Sequence, residues 1–187
     1  MPNNNTKNVF VPGVKVTGLA LWAPSGTTVP TNANTALASA FVNLGYITDD
    51  WYKLSPDKSG GDAIKAAGGD TIVHSATTID YTMTLNCAEL NMQVAKVAAG
   101  TANVTGTETE YSVAHKSAGG DSGVLVLEMT LGEDGLRRVV VPIANASLDG
   151  DESPSNDNPL TTSIGITMDA DINGVAYYEY IKKPTAA

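Results

Sequence analysis

Residues 21–50 read LWAPSGTTVPTNANTALASAFVNLGYITDD, and this stretch decides the fold. Pro24 and Pro30 bound a loop, because proline and glycine interrupt regular structure. A short Ala-rich turn ends at Phe41, and the apolar residues that follow begin a strand. The stretch contains no His, Cys, Lys or Arg, and its first acid is Asp49. It therefore indicates a scaffold and offers no group for catalysis.

The length and composition of the chain favour one β-rich domain. A chain of 187 residues can bury one core, so a single domain over residues 1–187 is expected. It has 18 Gly but only two Phe and two Trp. Together with its many β-branched residues, this composition favours strands and turns over helices. A mainly β (α+β) fold class follows.

The charge and the reactive side chains exclude several classes of function. The net charge of −9 argues against a partner that is gripped by its phosphates, since nucleic-acid affinity comes mostly from Lys and Arg. Cys87 is the single cysteine and there are two His, so neither a disulfide nor a zinc site is expected. No cofactor or metal is predicted. The N-terminus lacks the pattern of a signal peptide, no run is long enough to span a bilayer, and no membrane partner is expected.

Two segments are expected to lie outside the core. Residues 1–12 are rich in Asn and predict an N-terminal arm, which is either frayed or bound elsewhere. Residues 49–72 contain Pro56, two Gly pairs and three Lys, and they predict an excursion between two strands. This excursion is either a disordered loop or a long hairpin that orders against a neighbouring subunit. The hairpin is favoured, because long structureless loops are uncommon in compact domains.

One helix is predicted after the strand Thr78–Leu85. The helix covers residues 86–99, with Asn86 as its N-cap, Glu89 as the capping-box partner and Gly100 as its end. Its buried stripe consists of apolar residues at helical spacing, namely Cys87, Leu90, Val94 and Val97.

The other predicted strands show alternating or continuous apolar patterns. They are Val14–Trp22, Glu108–Ala114, Gly123–Leu131, Leu136–Ile143, Ile164–Asp169 and Val175–Ile181. Gly132–Gly135 and Asn173–Gly174 each predict a hairpin turn between the strands that flank them. Residues 144–159 are acidic and rich in turn formers, so they predict an acidic surface loop.

Two short motifs imitate functional sites. Gly120-Asp121-Ser122-Gly123 is the pattern around the nucleophile of trypsin-like proteases, but no His stands in a suitable context, so a loop entering a strand is favoured. Residues 169–174, DADING, imitate half of a calcium-binding EF-hand loop, yet its twelfth position would be Tyr180 rather than Glu. No catalytic residue and no metal ligand are predicted.

The order of a strand, APSGTTVPT, an Ala/Leu-rich turn and AFVNLGYITDD resembles the N-terminal region of the major tail tube proteins of long-tailed bacteriophages, especially those that infect actinobacteria. The order of elements in the rest of the chain is similar too. The resemblance implies an antiparallel β-sandwich or partial barrel with one flanking helix and a long protruding hairpin. It also implies that six copies close a ring and that stacked rings form the conduit for genomic DNA.

The resemblance implies contacts and partners as well. Residues 1–12 and 49–72 would bridge successive rings through Phe10, Trp51, Tyr52, Lys53, Lys58 and Lys65. Acids in or beside strands would line the lumen, the candidates being Asp80, Glu108 and Glu110. The partners would be further copies of the chain, the tape measure protein, the tail terminator and the tail tip proteins. Duplex DNA would pass without sequence-specific binding. The protein would reside in the virion tail after assembly in the host cytoplasm. No immunoglobulin-like domain, which some relatives carry, is expected after Ala187.

Two other functions remain open at this point. A β-sandwich that binds carbohydrates or a receptor would need an exposed aromatic cluster. A hydrolase that uses Ser122 would lose activity on Ser122→Ala, whereas a tube subunit would assemble unchanged.

Overall fold

The computed structural model describes residues 9–15, 17–74, 77–152 and 154–185. Within these ranges the protein is mostly antiparallel β-structure with one α-helix, which confirms the predicted fold class. The helix α1 is Met92–Ala99, and a 3₁₀ turn follows at Thr101–Asn103. The strands are β1 Pro12–Val14, β2 Ala20–Pro24, β3 Val42–Asn43, β4 Ile47–Gly60, β5 Ala63–Lys65, β6 Thr71–His74, β7 Thr77–Cys87, β8 Val104–Thr107, β9 Glu110–Val113, β10 Ser122–Leu131, β11 Gly135–Leu148, β12 Thr162–Asp169 and β13 Tyr178–Lys182.

Nine strands form one sheet around the β10–β11 hairpin. Its order is β3-β2-β10-β11-β12-β7-β4, with β1 also paired to β10 and β13 also paired to β11. The predicted turn at residues 132–135 joins β10 to β11, as Leu131 lies opposite Gly135. The predicted single strand Val14–Trp22 is wrong, because β1 and β2 pair with separate parts of β10. Gly18, with φ of 101°, turns the chain between them, and residue 16 lies outside the described residues.

Strands β12 and β13 lie one after the other along the same edge of β11. Ile143 pairs with Asp169 at the end of β12, and Val140 pairs with Tyr178 at the start of β13. The predicted hairpin at Asn173–Gly174 is therefore wrong, since the two strands that flank this turn do not pair with each other. The interruption lies opposite Pro142, which has no N–H to donate to a neighbouring strand.

A loop of eight residues, 170–177, fills the interruption between β12 and β13. The Asp171 carboxylate accepts hydrogen bonds from the Val175 N–H at 3.0 Å and from the Tyr178 hydroxyl at 2.6 Å. The pKa of Asp171 lies below its ordinary value. The main cause is the hydrogen bond from Tyr178, and the Val175 and Asn173 N–H groups add to it. The loop is thus tied at both ends, and Ile172 at its tip is fully exposed.

The two faces of the central sheet bury two separate cores. Side chains at odd positions of β10, such as Leu125 and Leu127, point into the main core, which also holds Leu85, Ile164 and Val94 of the helix. The even positions point the other way. They form a smaller core of Val124, Val126 and Val140, against which Val29, Leu37, Phe41, Tyr178 and Tyr180 pack. The Pro/Thr-rich stretch quoted above therefore covers the second face of the sheet.

The helix begins later than predicted. Residues 86 and 87 still belong to β7, and the N-cap is Asn91, whose side chain accepts a hydrogen bond from the Val94 N–H at 2.8 Å. The Glu89 carboxylate instead accepts from the Tyr46 N–H at 3.0 Å. The helix ends at Gly100 as predicted. Of the predicted buried stripe, Leu90 is 64 % exposed and Cys87 is buried from the strand.

Two other predicted boundaries also need correction. The segment Glu108–Ala114 was expected to be one strand, but residues 108 and 109 form the turn between β8 and β9. The acidic loop 144–159 begins only after β11, which runs to Leu148 and pairs there with Ile164. In both places a short, weakly apolar stretch pairs with a neighbouring strand. Patterns in a single sequence do not reveal such pairing.

Candidate assembly surfaces

The outer half of the β4–β7 hairpin leaves the body of the protein. Residues 57–60 of β4 pair with residues 77–80 of β7, and all of them are exposed. Successive side chains in a strand point to opposite faces, so neither face of this part is covered. Nearer the base, Met83 and Leu85 of β7 are buried. We call residues 57–80 the outer ribbon.

The outer ribbon carries exposed aliphatic side chains. Beyond residue 60, β5 and β6 form a short antiparallel pair in which Ile64 faces Val73. Four large aliphatic side chains of the outer ribbon are between 42 % and 67 % exposed, namely Ile64, Ile72, Val73 and Ile79. A two-stranded ribbon is marginally stable by itself in water, and clustered exposed apolar groups mark interaction sites. The outer ribbon is therefore a candidate contact surface.

Two of the predicted contact residues pack within their own chain. Trp51 and Tyr52 are half-buried against the main core. Trp51 has a positive φ of 59° where the pairing of β4 with β7 shifts its register. The Tyr52 hydroxyl accepts a hydrogen bond from Arg137 Nη1 at 3.1 Å. Burial raises the pKa of Tyr52 above its ordinary value, and Arg137 opposes that shift.

The other predicted contact residues are more accessible. Lys53, Lys58 and Lys65 are exposed along β4 and β5. Phe10 is half-buried just before β1, while Val9 and Val11 on either side of it are 76 % and 87 % exposed. Residues 1–8 of the predicted arm lie outside the described residues. Whether any of these residues bridges two rings stays a prediction.

The three predicted lumen acids lie on two different hairpins. Asp80 is on the outer ribbon directly opposite Asp57, and both are exposed. Glu110 is exposed at the start of β9. Glu108 lies in the turn before it, and its carboxylate accepts from the Met92 N–H at the start of α1 at 3.4 Å. Their position in a lumen stays a prediction.

The sequence patterns did not reveal a buried ion cluster on the second face of the sheet. Glu128 and Arg138 lie directly opposite each other on β10 and β11, and only 3 % and 2 % of their surfaces are exposed. Arg138 donates to Glu128 through Nε at 2.9 Å and also through its second terminal nitrogen. Lys15 Nζ completes the cluster at 2.7 Å from the other Glu128 oxygen.

The cluster also anchors the loop that covers it. Nη1 of Arg138 donates to the carbonyl oxygens of Asn32 and Thr35 at 2.7 and 2.9 Å. Burial by itself raises the pKa of Glu128, but hydrogen bonds from Lys15 and Arg138 outweigh it and hold the pKa below its ordinary value. The Glu128 carboxylate is therefore ionised at neutral pH, and the cluster fixes residues 32–35 on the sheet.

A groove of about 670 Å³ opens between α1, β9 and the loop that follows β11. Exposed Leu90 and Leu148 give it an apolar part. Its walls carry six acids, namely Asp49, Asp50, Glu89, Asp149, Asp151 and Glu152, with His115 beside them. The hydroxyl oxygen of Thr48, which also lines the groove, is buried and has no hydrogen-bond partner among the described residues. We call this feature the acidic groove.

The motifs that imitate enzyme and calcium sites have structural roles. Ser122 Oγ donates to Asn145 Oδ1 at 2.6 Å, and Asn145 Nδ2 donates to Asp169 at 2.7 Å. The side chain of His74 lies outside the described residues. The Asp171 carboxylate already accepts hydrogen bonds from Val175 and Tyr178 at the ends of its own loop. Within the described ranges, no group of three His, Cys, Asp or Glu side chains could hold a metal ion.

Comparison with families of known proteins gives a match over nearly the whole chain. The model of a family described as phage tail tube protein matches residues 1–186. No curated protein matches the chain. Among the described residues, no helix is long and apolar enough to cross a membrane.

Proposed function

This chain belongs to the phage tail tube protein family, a structural component of the virion tail, and from that premise we propose that it self-assembles into stacked hexameric rings. The rings form the hollow conduit through which genomic DNA leaves the virion. The tape measure protein occupies this conduit before ejection, and the terminator and tip proteins close its two ends. Assembly takes place in the host cytoplasm.

The observation that carries this proposal is the outer ribbon. It projects from the body with both faces uncovered and with exposed aliphatic side chains near its tip. Such a ribbon lacks a core within its own subunit, so a neighbouring copy supplies the missing packing. The exposed Lys53, Lys58 and Lys65 along the same strands would contact the neighbouring ring.

Ring closure also accounts for the open edge of the sheet. Among the described strands, the 14-residue β4 is the last on its side of the sheet and pairs with β7 alone. Long open edges favour uncontrolled pairing between chains, and Pro56 and Lys58 on this strand are typical of edges that are protected from it. A ring covers each edge with the next copy, since head-to-tail contacts that close leave no free end.

The net negative charge of the chain fits a conduit that does not bind DNA. A net charge of −9 per subunit repels phosphate, so duplex DNA can slide without being held. Asp80, Glu108 and Glu110 are the candidate lumen residues. Asp80 and Asp57 lie directly opposite each other, and this pair gives the outer ribbon a local negative charge.

Electron microscopy of the purified, concentrated protein tests the proposal. We expect rings or hollow tubes with six-fold end views in negative stain. A variant in which Asn-Gly replaces residues 61–76 joins the paired residues Gly60 and Thr77 by a tight hairpin turn. This variant should remain folded by circular dichroism and make no tubes. A wild-type protein that stays monomeric even with tail tip proteins present would refute the assembly, and normal tubes from the variant would refute the role of the outer ribbon.

A further inference from the structure

We propose that the acidic groove of one subunit receives residues 1–11 of a second copy, the part of the N-terminal arm that precedes β1. This inference rests on the proposed self-assembly and adds the identity of the receptor surface and of the segment that fills it.

The lining of the groove defines what it can bind. Asp49, Asp50, Asp151 and Glu152 are exposed in its walls and have no cationic partner among the described residues. Leu90 and Leu148 beside them are 64 % and 49 % exposed. A complementary ligand is therefore an extended segment with a positive charge, no acids and a few apolar side chains.

The N-terminal arm has this chemistry. Residues 1–11 contain Lys7 and no Asp or Glu, and indeed no acid precedes Asp49. Val9 and Val11 are largely exposed, and in an extended bound segment their side chains would point to the same side. The outer ribbon is a poorer match, because residues 57–80 contain four acids, Asp57, Asp62, Asp70 and Asp80, against two lysines, Lys58 and Lys65.

The geometry places the arm of one copy near the groove of another. Pro12 pairs with Leu131 and Val14 with Met129, so the residues before Pro12 continue past the β10–β11 turn. The groove lies at the opposite end of the sheet, beside Leu148. Between Leu136 and Leu148, β11 spans about 40 Å at 3.4 Å per residue. Eleven residues reach at most about 40 Å when fully extended, and here they would first have to reverse direction, which uses up part of that length. Binding to a second copy, stacked head to tail, needs no reversal.

Charge reversal tests the electrostatic part. Asp151→Lys with Glu152→Lys should lower the amount of sedimentable tube at least about tenfold, because like charges facing each other oppose binding. Adding Lys7→Glu to the same chain should restore assembly. The matched control is Asp157→Lys, which changes an acid of the same loop that does not line the groove. It should leave assembly unchanged. Normal tubes from the double variant, or no rescue by Lys7→Glu, would overturn the inference.

Cross-linking tests which surfaces meet. Val11→Cys and Leu148→Cys are made in separate chains and mixed under tube-forming conditions with an oxidant. Native Cys87 does not compete, because it is buried and burial raises the pKa of its thiol to about 12. A disulfide-linked dimer is expected from this mixture, and none from Val11→Cys mixed with Ile172→Cys. Tubes without the first dimer, or equal dimer from both mixtures, would contradict the inference.

These outcomes separate the two proposals. Wild-type tubes that tolerate the charge reversal would leave the tail tube assembly standing and remove only the groove as the receptor. A wild-type protein that forms no tubes under any condition would remove the assembly itself.

Discussion

The β10–β11 hairpin and the β4–β7 hairpin are made of similar strands but stand in opposite environments. Almost every residue of β10 is buried, because both faces of the central sheet are covered. The outer ribbon of β4–β7 is exposed on both faces. Burial of apolar surface is the main source of folding stability, so the central hairpin sets the stability of the subunit. The outer ribbon contributes little to stability and is free to serve contacts between copies.

The largest loss of stability is expected from replacing Arg138, and the matched change is at its neighbour on β11, Arg137. Arg138→Ala removes the guanidinium that pairs with the buried Glu128, leaves Lys15 as the remaining cation beside that carboxylate, and frees the carbonyls of Asn32 and Thr35. Breaking a buried ion pair in this way costs about 3–5 kcal/mol. Arg137→Ala removes a side chain whose partner, Glu179, is about one-third exposed, and it should cost about 1 kcal/mol or less. Urea unfolding of both variants measures the difference, and equal losses would show that the cluster does not stabilise the fold.

A cavity in the main core should cause the next largest loss of stability. Leu125→Ala removes a side chain that is fully buried, and such changes cost about 2–5 kcal/mol. The matched change in the outer ribbon is Ile79→Ala, where the side chain is 42 % exposed. It should change stability by about 0.5 kcal/mol or less. Thermal unfolding followed by circular dichroism compares them, and a large loss at Ile79 would contradict the independence of the ribbon.

The ion cluster should also make stability depend on pH. The folded pKa of Glu128 lies below its ordinary value, so the folded state binds the proton less tightly than the unfolded state does. The stabilisation is therefore present above the ordinary pKa of a glutamate and is lost as the pH falls through the lowered folded pKa. Wild type should lose more stability than Glu128→Gln on acidification from pH 6 to pH 3. Parallel curves for the two proteins would exclude Glu128 as a source of this dependence.

The smallest effect on stability should come from a substitution at the tip of the outer ribbon. Ile72→Ser replaces an exposed side chain, 67 % accessible, and should change the free energy of unfolding by about 0.5 kcal/mol or less. Because the same side chain would contact a neighbouring copy, tube yield should fall although the fold is intact. Sedimentation and electron microscopy measure the yield. A variant that assembles as well as wild type would remove Ile72 from the contact surface.

The sequence predicted those parts of the fold that depend on local signals. The β10–β11 turn follows from Gly132–Gly135 between two apolar runs, and the end of the helix follows from Gly100. The start of the helix could not be predicted in this way, because Asn86 and Asn91 are both good N-cap residues. Only the pairing of β7 with β12 shows that residue 86 is still in a strand. Non-local pairing decides such choices.

Sequence patterns missed the ion cluster for a similar reason. Glu128 is a lone acid in the apolar run of β10, and alternation places it on the same face as Val124 and Val126. A lone acid on a buried face is a sign of a buried charge that needs a partner, and this sign was not used in the sequence analysis. The partner could not be chosen between Arg137 and Arg138 until the register of β10 against β11 was known. The outer ribbon was easier to find, because its Gly pairs and lysines are visible in the sequence itself.

The break between β12 and β13 gives the subunit a place where extra chain can be added. Each strand is paired to β11 on its own side of the break, so the register of one does not depend on the length of the loop that joins it to the other. A peptide tag or a small folded module inserted after Ile172, a fully exposed residue, would be displayed at the surface while the sheet kept its pairing. The loop between β12 and β13 is thus a position at which chain can be added to the subunit without changing the pairing of its sheet.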